Sequence, residues 1–252
     1  MKREIIVAKE PKSPISEIFR TLRTNIQFMN AKDKLKSILV TSSSPSEGKS
    51  WVSVNLATTF AQAGKKVILV DCDMRKGRLF TIFNIAPAPG LSNYLSGVNS
   101  NGENIESDIG SYIRGTEINN LYIMTSGTTP PNPSELLVSE RMSETMAKLS
   151  SICDVVIYDG TPTSLVTDAL IISRKVDTTI IVCEHKKTKM EQLEKVKRDI
   201  LNVGGKIGGV VINKVPISQK EYYSSYYYTI GNPLAMDKER KRISKQIKNK
   251  RF

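Results

Sequence analysis

Six short runs rich in β-branched and aliphatic residues recur along the chain: SILVT (37–41), KVILVD (66–71), LYIMT (121–125), DVVIYD (154–159), TTIIVC (178–183) and GGVVIN (208–213). Each is almost continuously apolar, the pattern of a strand buried on both faces. Between most of them lie helical patterns, at about 49–63, 133–149, 164–175 and 188–203. Strands alternating with helices build βαβ units, so the expected fold class is α/β, a doubly wound and mainly parallel sheet with helices on both faces. A further helix is expected before the first strand, where Ile15, Ile18, Phe19, Leu22 and Ile26 form one apolar face behind a Ser13 cap and Pro14. Residues 87–115, rich in Gly, Ser and Asn, read as a short helix inside a long excursion. A chain of 252 residues without a linker-like stretch suits one domain of this class.

The first run passes straight into SPSEGKSW, Ser44 to Trp51. The phosphate-loop pattern G-x-x-x-x-G-K-[ST] would place Gly at 43, where the chain has Ser43, so only its second half matches. The context is the one that pattern needs: a strand ending near Thr41, a polar loop, and a helix starting at Gly48. Backbone N–H groups at such a helix start face an anion. Lys49 would then reach the β- and γ-phosphates of a nucleotide, and the Ser50 hydroxyl would ligate Mg²⁺. Gly-Lys-Ser alone is also an ordinary capped helix start.

Hard oxygen ligands for that cation stand at strand ends. VILVDCDMRKGR puts Asp71 and Asp73 at the carboxyl end of the second strand, where open α/β sheets bind ligands. Two carboxylates two residues apart on an extended segment project to the same side. DVVIYDGTP ends another strand with Asp159, an apolar run followed by Asp in the Walker B arrangement. Each Asp taken alone would equally suit a turn or a helix cap.

Charge is concentrated at one end. The last stretch, MDKERKRISKQIKNKRF, holds eight Lys or Arg against Asp237 and Glu239, half of the overall excess of +12. Such a tail attracts an anionic surface, whether lipid or nucleic acid. The longest apolar stretches fall far short of the roughly 20 residues that cross a bilayer. The N-terminus carries no secretory h-region, and Cys72, Cys153 and Cys183 form neither a disulfide framework nor a zinc pattern. A cytoplasmic chain with reduced thiols is expected.

With SPISEIFRTLRTNI, the loop and VDCDMR segment, TSGTTPPNPSELL, VVIYDGTPTSLVTDA, GGVVINKV and EYYSSYYYTIG together, the chain resembles a known family up to about Gly231. These are the bacterial protein-tyrosine kinases (BY-kinases) of capsule and exopolysaccharide synthesis, in their stand-alone cytoplasmic Gram-positive form. The resemblance implies a P-loop NTPase-type fold related to partition ATPases, an ATP and Mg²⁺ cofactor set, and autophosphorylation in trans. It makes Ser44, Pro45, Ser46, Glu47, Gly48, Lys49, Ser50 and Trp51 the phosphate cradle. It further implies that Ser50, Asp73 and Asp159 serve the metal, that Asp71 takes the acceptor's proton, and that Asn213 recognises adenine. The acceptors it implies are Tyr222, Tyr223, Tyr226, Tyr227 and Tyr228, five of the nine tyrosines within seven residues.

The chain is thus read as an assembly helix (1–30), a kinase domain (31–215), a flexible tyrosine cluster (216–231) and a basic tail (232–252) longer than the resemblance would predict. The family's assembly motif E-x-x-R-x-x-R falls on Glu17, Arg20 and Arg23, which helical spacing sets away from the apolar face and free for a neighbouring subunit. Implied partners are further copies in a ring, a transmembrane polysaccharide co-polymerase with a cytoplasmic tail, and a cognate tyrosine phosphatase. Recruitment to the inner face of the cell membrane follows, with the basic tail on anionic lipid and no nucleic acid partner. Three departures stand against the family pattern: Ser46 replaces a Gly, Trp51 replaces a Ser or Thr, and Gly160-Thr161-Pro162 replaces Thr-Pro-Pro. The rival readings are a partition or division-site ATPase, whose signature lysine would stand at Ser44, and a weakly active nucleotide-binding regulator.

Overall fold

The structure, a computed structural model, describes residues 4–29, 35–97 and 108–216. Seven strands, β1 (Ser37–Ser42), β2 (Val67–Asp71), β3 (Arg114–Gly115), β4 (Leu121–Met124), β5 (Val155–Pro162), β6 (Thr178–Glu184) and β7 (Ile207–Asn213), form one sheet in the order β3-β4-β2-β5-β1-β6-β7. Every pairing is parallel except β3 with β4. All six expected strands are present. The two-residue edge strand β3 gave no periodic signal to read.

The period-2 geometry of a strand splits each apolar run between two cores. Ile38, Val40, Val67, Leu69, Val155 and Ile157 pack on one face, and Leu39, Ile68, Val70, Val156 and Tyr158 on the other. Helices α1 (Ile6–Lys9), α2 (Pro14–Phe28) and α3 (Lys49–Gln62) cover the first face. Helices α5 (Leu91–Ser96), α6 (Pro133–Val138), α7 (Glu140–Ile152) and α8 (Asp168–Ser173) cover the second, with α9 (Met190–Asn202) beside β6. The short α4 (Leu79–Phe83) follows β2.

Helix α2 starts as its sequence dictates: the Ser13 hydroxyl accepts from Ser16 N–H, and Pro14 takes the first helical position. Phe19 and Ile26 are buried, but Ile18, at the margin of the apolar stripe, is 57% exposed and does not join the packed face. The single helix expected over 133–149 is two, because Ser139 adopts an extended backbone and its hydroxyl caps α7 through Met142 N–H. The helix expected over 164–175 shortens to α8 because residues 163–167 form a turn between the end of β5 and Asp168. Among the described residues no helix is long and apolar enough to cross a membrane, and all three cysteines are free thiols. The tyrosine cluster and the basic tail lie outside the described residues.

Candidate active site

The carboxyl ends of β1, β2 and β5 lie side by side, and Asp71 on β2 is directly in register with Asp159 on β5. The loop between β1 and α3 crosses above them. It is braced from inside by Glu47, a buried carboxylate that accepts from the Ser43 hydroxyl at 2.9 and 3.0 Å and from Ser44 N–H at 2.8 Å. Thr188, just before α9, also donates its hydroxyl to Glu47. The hydroxyl of Ser43, at the place of the missing glycine, thus contributes to the loop's own framework.

Two loop residues sit in left-handed backbone, Ser46 at φ 65° and Gly48 at φ 99°. Gly48 is required twice over, since a Cβ there would fall 2.1 Å from Asn213 Nδ2. Ser46 lacks glycine's freedom and carries the strain. Its carbonyl accepts from Lys214 Nζ at 2.7 Å, and Lys214 also reaches Glu184 at 2.9 Å. Asn213 donates to the Glu47 carbonyl at 2.8 Å, so in this structure its amide braces the loop from behind.

Lys49 projects from the start of α3 onto the carboxylates. Its Nζ lies 3.2 Å from Asp73 Oδ2. Burial works to lower the lysine's proton affinity, but Asp159, Asp73 and Asp71 together outweigh it and hold the pKa above the usual value. The three carboxylates and the ammonium therefore converge on one place. They are not equivalent. Asp71 is fully buried and pushed up to about 7, first by desolvation and then by Asp159. Its Oδ1 accepts from Asp73 N–H, and its Oδ2 accepts from the N–H groups of Arg78 and Leu79.

The expectation that Asp71 and Asp73 project to one side is corrected here. The strand ends at Asp71 and the backbone turns, so Asp71 points under the loop it organises, while Asp73 lines the cavity. Asp71 is fully buried, holds three backbone N–H groups and does not line the cavity, whereas Asp73 does. Asp159 is also fully buried and shifted upward by desolvation, against the pull of Lys49 and the nearby hydroxyls of Ser50 and Ser53. Ser53 donates to its Oδ1 at 3.0 Å, and its Oδ2 is buried with no hydrogen-bond partner.

A cavity of about 600 Å³ opens above this cluster, lined by Ser46, Lys49, Ser50, Trp51, Asp73 and Arg75 among others. Trp51 meets Phe19 of α2 edge to face, with ring centroids 5.1 Å apart, so its bulk is accommodated between the loop helix and α2. Gly160 has a packing reason as well: a Cβ would lie 2.8 Å from Leu39 Cδ1 and 3.3 Å from the Val40 carbonyl. Hard donors fit Mg²⁺ here: Ser50 and Asp73 line the cavity, and Asp159, buried beside the Ser50 hydroxyl, keeps one oxygen without a hydrogen-bond partner. Among the described residues no three metal-binding side chains form a ready-made cage.

The α2 motif is less free than its spacing suggests. Arg20 pairs with Glu17 at 2.7 Å and also donates to the Pro11 carbonyl, while Arg23 donates to the Thr59 carbonyl of α3 at 3.1 Å. Sequence reasoning missed Glu47's bracing role, Thr188, Ser53 and Arg75. None belongs to a spacing pattern that announces phosphate chemistry, although Arg75 stands only two residues beyond Asp73.

Comparison with known proteins agrees with this geometry. Residues 38–250 match the family described as the CobQ/CobB/MinD/ParA nucleotide binding domain. The chain is 38% identical over 227 residues to a putative tyrosine-protein kinase CapB of Staphylococcus aureus, covering 90% of this chain and 95% of that one. It is 37% identical over 232 residues to the tyrosine-protein kinase YwqD of Bacillus subtilis, covering 92% and 94%. Among solved structures, the chimerical protein CapA2B2 superposes with a TM-score of 0.79 at 38% identity, over 86% of this chain and 92% of that one. A Pyrococcus horikoshii septum site-determining protein MinD, at 20% identity and a TM-score of 0.60 over 77% of this chain and 76% of that one, shares the fold alone. With the phosphate loop, the acidic cluster and these relatives in agreement, the chain belongs to the bacterial tyrosine-protein kinases of the CobQ/CobB/MinD/ParA nucleotide-binding class.

Proposed function

We propose that this chain is an ATP-dependent, autophosphorylating protein-tyrosine kinase acting in capsular or exopolysaccharide synthesis. The observation that carries the reading is the convergence of Lys49 with Asp71, Asp73 and Asp159 beneath a phosphate loop and beside an open cavity. Ser50, Asp73 and Asp159 would hold Mg²⁺, which when bound neutralises charge on the β- and γ-phosphates. Lys49 leaves Asp73 for the phosphate, and Asp73 is the carboxylate that faces the incoming phenol. The phenol oxygen bonds to the γ-phosphorus, the bond to the β–γ bridging oxygen breaks, and the phenolic proton passes to the carboxylate. Asp71 acts one step back, fixing the 72–79 segment that presents Asp73.

The acceptors are Tyr222, Tyr223, Tyr226, Tyr227 and Tyr228 of a neighbouring copy, in a ring assembled through Glu17, Arg20 and Arg23. Assembly of that kind requires Arg20 and Arg23 to exchange their intramolecular partners for those of the neighbour. A transmembrane co-polymerase with a cytoplasmic tail recruits the kinase, the basic tail adds attraction to anionic lipid, and a cognate phosphatase resets it. Support for the reading comes from the named kinases at 38% and 37% identity over nearly their whole length.

The test is incubation of the purified chain with Mg·ATP, with and without the partner's cytoplasmic tail, followed by mapping of phosphotyrosine by mass spectrometry. Signal at residues 222–228 that disappears in Lys49→Met supports the kinase. Hydrolysis of ATP without phosphotyrosine would replace it with a positioning ATPase, and nucleotide binding without either product with a regulator.

A further inference from the structure

One buried anion near the cavity has no part in the chemistry described so far. Asp168, the first residue of α8, is completely buried, and Arg75 is its only ion-pair partner among the described residues, Nε to Oδ2 at 3.1 Å. Ser134 of α6 closes the arrangement, donating its hydroxyl to Asp168 Oδ1 at 2.6 Å and accepting from Arg75 Nη2 at 3.3 Å. The Arg75 side chain is 40% exposed, and Arg75 lines the cavity with Lys49 and Asp73. A buried carboxylate held by two partners is an anchor, unlike an ordinary surface ion pair. These bonds use two of the five guanidinium N–H groups. The rest have no protein partner among the described residues.

We infer that Arg75 is a phosphate-facing residue of this site, and that Asp168 and Ser134 are positioning residues that aim it at the terminal phosphate of the nucleotide. The inference rests on the kinase reading and adds a second fixed cation, opposite in origin to Lys49, which comes from the phosphate-loop helix. Phosphoryl transfer spreads negative charge over the equatorial oxygens, and a planar, permanently charged fork held from behind suits that charge better than a mobile ammonium. Anchoring from α6 and α8 ties the TSGTTPPNPSELL and VVIYDGTPTSLVTDA segments, remote from the loop in sequence, to a side chain of the cavity wall.

The experiment measures phosphotyrosine formation and the affinities for Mg·ATP and Mg·ADP in the full-length wild type, Arg75→Met, Asp168→Asn, Ser134→Ala and Arg75→Met/Asp168→Asn. Arg75→Met is expected to lower kcat about 100-fold, the usual loss for one oriented donor to a developing charge, with affinity for ADP nearly unchanged. Asp168→Asn keeps the guanidinium but frees it, so kcat falls while KM for ATP moves little, and in the Arg75→Met background it adds less than about twofold. Ser134→Ala, which removes one hydroxyl and leaves the buried pair intact, falls between wild type and Asp168→Asn. Wild-type kcat in Arg75→Met, or losses that multiply in the double variant, overturns the inference. If the wild type forms no phosphotyrosine the kinase reading fails by itself. The preference for ATP over ADP then decides the inference: its loss in Arg75→Met supports the contact, and its retention overturns it.

Discussion

Lys49 Nζ stands 3.2 Å from Asp73 Oδ2, so the cation that a phosphate loop offers to its nucleotide is already paired in the free chain. Both side chains are almost fully covered, 12% and 8% exposed, and the pair is screened little by solvent. Nucleotide entry therefore competes with an internal carboxylate for the same ammonium.

Replacing that carboxylate separates binding from catalysis. In Asp73→Asn the ammonium is released, and ADP in the presence of a chelator should bind more tightly, by about tenfold for each 1.4 kcal/mol of lost competition. The same variant should lose at least about 100-fold of its phosphotyrosine formation with Mg·ATP, since it lacks both a metal ligand and the carboxylate that faces the phenol. Isothermal titration without metal and phosphotyrosine assay with metal read the two effects. Unchanged metal-free affinity would show that the Lys49–Asp73 pair does not restrain the loop.

Ser46 holds a φ of 65° in a loop where glycine would adopt that angle without a Cβ penalty. Ser46→Gly should raise stability by about 1 kcal/mol, the lower end of the cost of such a backbone conformation. In a domain of this size that corresponds to roughly 2–4 °C in Tm. The hydrogen bond from Lys214 goes to the Ser46 carbonyl and survives the substitution. Thermal unfolding of the two proteins in the same buffer checks it, and an equal or lower Tm removes the strain argument.

Asn213 sets the loop brace against base recognition. Its amide donates to the Glu47 carbonyl and abuts Gly48. Asn213→Ala should weaken ATP and GTP binding to the same extent, because what changes is the shape of the cradle that meets the phosphates. A loss confined to ATP would instead assign Asn213 to the adenine ring, as the family resemblance implies.

What was legible in the sequence, and what was not, follows from how far each signal acts. The strands were legible because a buried parallel strand must be apolar along its whole length, and the cradle because Gly48-Lys49-Ser50 sits between a strand and a helix. The Asp71 and Asp73 positions were legible, but their directions were not. Alternation holds only while the strand lasts, and the strand ends at Asp71. Ile18 was misplaced for a similar reason, since periodicity ranks the faces of a helix without fixing how wide the covered stripe is. Glu47 with Thr188, and Arg75 with Asp168, are pairings across 141 and 93 residues, brought together only by the sheet order.

The stacked carboxylates also give the free chain a pH signature. Asp71 is raised to about 7, whereas an unfolded Asp titrates near 3.9. A raised carboxyl binds its proton more tightly in the folded chain than in the unfolded one. Its contribution to stability is therefore fully present below about pH 4 and is lost as pH rises through about 7. Asp159, also raised, acts in the same direction, while Lys49, held above its usual range, changes charge only at much higher pH. Asp71→Asn cannot lose a proton, so its stability relative to wild type should climb between pH 5 and 8, by a few kcal/mol at most, and level off above that. The amide also changes the hydrogen bonds to the N–H groups of Asp73, Arg78 and Leu79, which offsets the variant's stability by an amount that does not depend on the Asp71 proton. The slope is thus the decisive quantity. Urea unfolding of both proteins at pH 5, 6, 7 and 8, without metal or nucleotide, measures it; parallel curves would mean that Asp71 stays ionised in the folded chain.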